Sequence, residues 1–485
     1  MTRTAPRKVR FGILFAALLM VGTACSIEAP DVILSGGSNT GGVPGVPGVP
    51  GASLPPGAQP GALPGAQPGA LPGAQPGSPP NASDTSCVGQ ATATGVTGTS
   101  IKVGGTFAAS GPVSNISGPI LKGVQAYFNE TNAKGGINGR KINLVWEDDG
   151  WDAQKGKALI KKLVEQDKVF LLTVVPSSNG LDASRSYLEQ KGVPVFGTSG
   201  LIESQFRSEM QWPVGTSTRS ASRLGLLDMK ARNVTNSAII WLDLLAGKEA
   251  RDAFYDAIPD IFGKKAEDFV TAERQVSLSE ASFGPVWASI KSQTGKWQSA
   301  HGQPVTQIPD FVTLAIDPTN ADKALKAAAD IGFRPKIGWG GGAPLFLSVV
   351  AQNSWARETG LLAGTSYFPP LPEYNGHAAV QSYRQTLAKY YGSGIDALNP
   401  YLEGGYAGAA LTVEILRRAG SCLTRDKVIA AANSLSGYSA AGLTQPMTYT
   451  SKSHYGNISG LIVQVQKNGT WKVARDWLKD PSPGE

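Results

Sequence analysis

Cysteine, histidine and charge are all scarce in this sequence. The 485 residues hold 3 cysteines and 3 histidines. His301, His377 and His454 lie far apart and none sits in a metal or triad motif, so histidine-based chemistry has no pattern to rest on. No Walker A sequence occurs, which leaves any use of ATP to a partner. Gly197-Thr198-Ser199-Gly200 begins like a nucleophile elbow, but Leu201 stands where the second required glycine belongs. Charged residues make up 17% of the chain and the formal net charge is +7. Arg3, Arg7, Lys8 and Arg10 supply four of those charges in residues 1–24, which contain no acid, leaving 7 − 4 = +3 for the remainder. That is too mild a balance to point to nucleic acid. No enzyme signature and no cofactor motif emerge.

Glycine and proline, in contrast, are abundant at 59 and 33 residues, more than a compact α/β protein of this length uses. Much of the excess falls between residues 25 and 98. There VPGVPGVPG (Val43 to Gly51) gives way to the unit GAQPGALP, which runs twice from Gly57 to Pro72 and starts a third time. Proline removes backbone donors and glycine raises the entropy of ordering, so this tract is expected to be a disordered tether rather than a core. Glycine does not recur at every third position throughout, which argues against a collagen-like stalk.

Ahead of the tether, the basic residues precede an apolar run, Phe11 to Gly22, that is too short to span a membrane permanently. Residues 1–24 are expected to be an export signal. Gly22-Thr23-Ala24 leads into Cys25 in a way similar to the lipobox of bacterial lipoproteins, although Gly22 occupies the usual leucine position. Cys25 is therefore a candidate lipidation site that would hold the protein on the outer face of a membrane; simple secretion is the alternative.

Beyond Ser100 the pattern becomes that of alternating strands and helices. Ile101-Lys102-Val103 opens a strand; Ile120, Leu121, Val124, Tyr127 and Phe128 share a helical face that ends at Gly135-Gly136. Ile142, Leu144 and Trp146 alternate as a strand, Asp152 is placed to cap a helix, and Val169 to Val175 has the continuous apolar character of a central parallel strand. Further strands are expected at Ala238 to Leu242, Phe311 to Ile316 and Ile337 to Trp339, with helices from about Lys248 and over Asn320 to Ile331. Leu461 to Val465 and Trp471 to Val473 flank Lys467-Asn468-Gly469, a hairpin signal. The β-then-α order implies parallel sheets covered on both faces, and the length implies more than one core.

Several of these segments carry a resemblance. Gly111-Pro112, the run Asn129-Glu130-Thr131-Asn132-Ala133-Lys134-Gly135-Gly136-Ile137-Asn138-Gly139-Arg140-Lys141-Ile142, then Glu147-Asp148-Asp149, Pro176-Ser177-Ser178 and Gly192-Val193-Pro194-Val195 come in order and at family spacing. Residues 101–200 are thereby similar to the leucine/isoleucine/valine-binding protein family. The resemblance implies a type I periplasmic-binding fold: two doubly wound lobes with a ligand cleft between them, serving an ABC uptake system with permease subunits as partners. Expected boundaries are 99–217 plus 342–446 for the first lobe and 218–341 plus 447–478 for the second. A surface receptor that senses rather than imports a ligand is the alternative use of the fold. It also makes the end of a strand the better reading of Glu147-Asp148-Asp149 than a metal site.

Ligands of open parallel sheets lie beyond the carboxyl ends of the strands. Those ends carry Ser110, Ser177, Ser178, Thr198 and Ser199, hydroxyls suited to a carboxylate or amide, or otherwise to helix capping and turns. Ser177 and Ser199 align with family ligand positions. Departures from the family are equally informative: Ile116 replaces a common aromatic, Leu201 a frequent threonine, Thr218 the usual acid, and Ala246-Gly247 a frequent Tyr-Gly. A ligand ammonium would lose its anchors, so an ordinary α-amino acid is disfavoured unless Asp243, Asp317 or Tyr367 compensates. The expected ligand is a small solute of amino-acid, amide or carboxylate character. Finally, with Cys25 consumed by lipidation, an exported chain would be left with Cys87 and Cys422 as a disulfide pair, or as two free buried thiols. In the family both regions belong to the first lobe.

Overall fold

The computed structural model describes residues 85–337 and 346–483. Cys25, most of the tether, Trp339 and the expected boundary at 341/342 lie outside those residues.

The first lobe is built as the alternation requires. Its elements are β1 (Ser100–Phe107), α1 (Ser114–Ala133), β2 (Lys141–Asp148), α2 (Ala153–Glu165), β3 (Leu171–Thr173), α3 (Ser178–Lys191), β4 (Val195–Phe196), α4 (Glu203–Arg207) and β5 (Gln211–Trp212). The five strands form one parallel sheet in the order β2-β1-β3-β4-β5, with β3 near its middle. Asp152 caps α2 by accepting from the Lys155 N–H, and α2 buries Ile160, Leu163 and Val164 on one face. The Gly-Gly-Ile-Asn-Gly-Arg motif is a tight turn: Gly136 has φ +79°, and a Cβ there would lie 2.0 Å from the Arg140 carbonyl oxygen.

The second lobe follows with α5 (Thr218–Ala231), β6 (Ser237–Leu242), α6 (Leu245–Phe262), β7 (Val270–Val276), α7 (Gly284–Ala300), β8 (Phe311–Ala315), α8 (Pro318–Asp330), α9 (Ser348–Ala351), α10 (Ser354–Thr359) and β9 (Leu362–Thr365). The strands β7-β6-β8 are parallel, and Ile337 bridges in parallel to Phe311. The chain then returns to the first lobe through α11 (Ala378–Tyr391), α12 (Pro400–Arg418) and α13 (Arg425–Asn433), and ends in the second with the hairpin β10 (Ser459–Val465) and β11 (Trp471–Lys479). That hairpin turns at Gly469, φ +80°, and its strand β10 pairs antiparallel with β9.

Two expected boundaries move. Residues 346–365, assigned from sequence to the first lobe, belong to the second, because β9 pairs with β10 and because Phe346, Leu347, Val350 and Trp355 share a buried cluster with Ile240 and Leu314. Residues 447–456, assigned to the second lobe, belong to the first: Met447 and Tyr449 are buried in its cluster, and Met447 pairs with Tyr438. The tether also ends earlier than residue 98. Val96 is buried and pairs with Ile101, and Cys87 is disulfide-bonded to Cys422 with Cα atoms 4.9 Å apart. An apolar side chain and a covalent bond hold residues 87–98 against the sheet. α6 starts at Leu245, three residues before the expected Lys248.

Three crossings join the lobes, near residues 213–217, 365–367 and 456–459. Asn457 ties them together: its Nδ2 donates to the Val214 and Ser366 carbonyls, both at 3.3 Å, and its backbone pairs with Thr216. An amide serves here because one side chain offers two donors to two strands at once.

Candidate functional site

The carboxyl ends of β1, β3 and β4, neighbours in the first sheet, deliver the expected hydroxyls to one edge. Ser110 is exposed, and its Oγ donates to Asp148 Oδ2 at 2.6 Å. That bond, with the Gly150 and Ala109 N–H groups, holds the Asp148 carboxyl below its usual range. Ser177 and Ser178 are buried at the start of α3; Ser177 occupies the N-cap position, yet its hydroxyl makes no capping bond. Its Oγ, Thr106 Oγ1 and Asp149 Oδ2 are buried together without a hydrogen bond of good geometry. Burial raises the Asp149 pKa. Asp149 Oδ2 faces the close contact of Gly156 with Gly180, so this acid supports the packing of α2 on α3 rather than the cleft. Thr198 Oγ1 and Ser199 Oγ are likewise buried and unpartnered.

Other candidates are engaged elsewhere. Thr218 Oγ1 donates to the Leu201 carbonyl at 2.8 Å, a bond from the second lobe to the first. Asp243 accepts from Gln275 Nε2 at 2.5 Å. Asp317 caps α8 through Oδ1, which accepts from the Thr319 and Asn320 N–H groups at 3.0 and 3.1 Å. Its Oδ2 is buried with no partner, and burial raises its pKa. The Tyr367 hydroxyl lies in the second crossing, 3.2 Å from where a Cβ on Gly404 would be and 3.6 Å from one on Gly215. A side chain at position 404 would press on the hydroxyl end of the ring. Burial pushes its pKa up.

Sequence reasoning missed three features. Tyr401 opens α12, packs against the apolar clusters of both lobes, and lies near the Asp317 carboxylate. Asn399-Pro400, a cap followed by proline at the first helical position, marks that helix start and was a usable signal: Asn399 Oδ1 accepts from the Tyr401 and Leu402 N–H groups. Glu403 is fully buried with neither carboxyl oxygen partnered, and burial holds its pKa well above the ordinary value. No periodicity could announce it. The lobes also touch directly: Asn115 Nδ2 donates to Thr319 Oγ1 at 3.2 Å, and the Glu203 N–H donates to Glu249 Oε2 at 2.7 Å. Among the described residues no group of three or more His, Cys, Asp or Glu side chains is arranged to hold a metal ion, and no helix is long and apolar enough to cross a membrane.

Two α/β lobes joined by three crossings, with hydroxyls gathered at the carboxyl ends of one parallel sheet, have the architecture of the type I periplasmic-binding fold. The chain belongs to the periplasmic binding protein family, whose model matches residues 100–470. It is 27% identical over 177 residues to a Leu/Ile/Val-binding protein homolog of Brucella abortus (strain 2308), covering 36% of this chain and 46% of that one. It is 33% identical over 93 residues to the Leu/Ile/Val-binding protein of Escherichia coli K12, covering 19% and 25%. The matches thus span less than half the length of these curated relatives. Among solved structures, a fatty acid ABC transporter substrate-binding protein from Thermomonospora curvata superposes with TM-score 0.66 at 18% identity, over 80% of this chain and 95% of that one. A solute-binding protein from Rhodopseudomonas palustris in complex with benzoate gives 0.61 at 18% identity, over 79% and 99%. At such identities the likeness establishes the fold alone.

Proposed function

We propose that this protein is the extracytoplasmic solute-binding component of an ABC uptake system of the branched-chain amino acid type, anchored through a lipid on Cys25 and delivering its ligand to permease subunits. The observation that carries this reading is the pairing of a hinge with a receptive edge. Three crossings gathered by Asn457 allow the lobes to move as bodies, while buried hydroxyls at Thr198 and Ser199 have no partner among the described residues. An unpaired buried polar group costs about 1–3 kcal/mol, which a bound solute would recover.

The ligand we propose is a small carboxylate or amide without an α-ammonium group. Hydroxyls and backbone N–H groups suit its oxygens. The usual acid is replaced by Thr218, whose hydroxyl is already committed to Leu201. Asp317, one of the candidate substitutes, spends one oxygen on α8 and is disposed by burial toward its neutral form. Tyr367 and Tyr401 supply aromatic surface at the crossing and at the start of α12. Relatives in complex with benzoate and 3,4-dihydroxybenzoic acid support the compatibility of this fold with such solutes.

A thermal-shift screen of carboxylates, amides and amino acids tests the assignment. A ligand at one hundred times its dissociation constant adds about 2.7 kcal/mol, a shift of several degrees. We expect benzoate-like or short-chain carboxylates to stabilise and leucine to have little effect. Strong stabilisation by leucine would overturn the ligand class.

A further inference from the structure

The loop that carries Ser199 continues into α4, and that segment meets the second lobe at two points, the Thr218 hydroxyl on the Leu201 carbonyl at the crossing and a second contact further out. The Glu203 N–H, the first of α4 and hence without an intrahelical acceptor, donates to Glu249 Oε2 on α6 at 2.7 Å. On its own lobe the segment is braced. Phe206 stacks on Tyr455 with ring centroids 4.8 Å apart, the Tyr455 hydroxyl donates to Glu203 Oε2 at 2.6 Å, and the Leu201 N–H donates to Gln205 Oε1 at 3.1 Å. Gly200, φ +75°, packs so closely on the Phe206 ring that a Cβ would fall 2.5 Å from it. The segment therefore moves with its lobe, and the bond to Glu249 exists only when the lobes are together.

The charges around that bond oppose it. The first lobe presents two acids to Glu249, Glu203 and Asp182 of α3, and the counter-charge is Lys248 on α6 itself, with Arg207 beyond Tyr455. We propose that Glu249 is a positioning residue that latches the Ser199 loop across the cleft, and that the latch tightens when the acid is neutralised. The proposal rests on the solute-binding reading for its purpose but not for its test.

The sign follows from the geometry. Burial raises the Glu249 pKa most; the Glu203 N–H bond and Lys248 pull it down, Glu203 and Asp182 push it up, and the balance in the closed arrangement is upward, a rise that an open cleft would relax. A group whose pKa rises on closing favours closure as pH falls. The gain is complete below the ordinary carboxylate value and absent above the raised one. At neutral pH the latch holds against repulsion, and mild acid strengthens it.

Hydrogen exchange of the Glu203 amide in the unliganded full chain reads the latch directly, after correction for intrinsic rates, at pH 5 and pH 7.5. In the wild type, protection should be higher at pH 5. Glu249→Gln keeps a carbonyl acceptor without the charge, so protection should be high and equal at both values. Glu249→Ala should lose protection about tenfold at pH 7.5, the scale of a hydrogen bond to a charged group, and by a larger factor at pH 5. A pH dependence that persists in Glu249→Gln, or protection unchanged in Glu249→Ala, would overturn the proposal. Should Glu249→Ala fail to fold, the wild-type and Glu249→Gln profiles still decide it. Because no solute is added, failure here is separable from failure to find a ligand.

Discussion

The two ends of the first sheet treat their polar groups in opposite ways. At the amino ends of the strands, Arg140 is fully buried with no acid beside it, and every arm of its guanidinium is used. Nε donates to the Thr97 carbonyl at 2.9 Å, Nη1 to Ser421 at 3.0 Å, and Nη2 to Cys87 and Gln90 at 2.6 and 3.0 Å. The Cys87–Cys422 disulfide closes the same junction. At the carboxyl ends, Thr198 and Ser199 bury hydroxyls with no partner, and those of Thr106 and Ser177 have only the Asp149 carboxyl beside them. A fully paired polar group specifies structure, while a row of unpaired ones indicates an edge that awaits something.

Breaking the paired end should cost most. Replacing Cys87 and Cys422 together by serine opens a loop of separation 335 and should lower stability by about 3–5 kcal/mol in denaturant titration, the chain-entropy scale for long loops. Arg140→Met removes the donor from the Thr97, Gln90 and Ser421 carbonyls and one of two donors from Cys87, and should cost about 3 kcal/mol, while leaving affinity for any solute identified by screening unchanged. An affinity change with Arg140→Met would erase the contrast between the ends.

Glu403 lies between these extremes, being buried and unpartnered but on a helix beside Tyr367 and Tyr383. Its pKa is raised by folding, so its favourable share is complete below the unfolded value and is lost as pH rises through the folded one. Glu403→Met should therefore stabilise the protein, by roughly 1–2 kcal/mol at most, with a larger gain at pH 8 than at pH 4. Melting curves at the two values check it; a gain independent of pH would mean that the carboxyl does not titrate in this range. The smallest stability effect belongs to the receptive edge. Ser199→Ala removes a hydroxyl that the fold does not use, so stability should change by less than about 0.5 kcal/mol while solute affinity falls about tenfold. A large loss of stability with intact affinity would reassign Ser199 to the structure.

Much of this contrast was legible in the sequence because it rests on local chemistry. The helix end at Gly135-Gly136, the Asp152 cap and the Asn-Gly hairpin are short-range patterns, and the structure places each where the pattern put it. The hydroxyls at Ser177 and Ser199 follow from strand ends and register. What escaped is what depends on partners far along the chain. The role of Arg140 needs carbonyls at residues 87, 90, 97 and 421; the lobe assignment of 346–365 needs β10, about a hundred residues later. Asn457 and Glu249 act only through segments brought together by both lobes, and no window of sequence contains both sides of those contacts.

The most direct test of the central claim, that two lobes close on a small polar solute, is small-angle scattering of the mature protein across a library of carboxylates, amides and amino acids. The account predicts a smaller radius of gyration with at least one carboxylate or amide that also raises the melting temperature. Unchanged dimensions with every member of the library would contradict it.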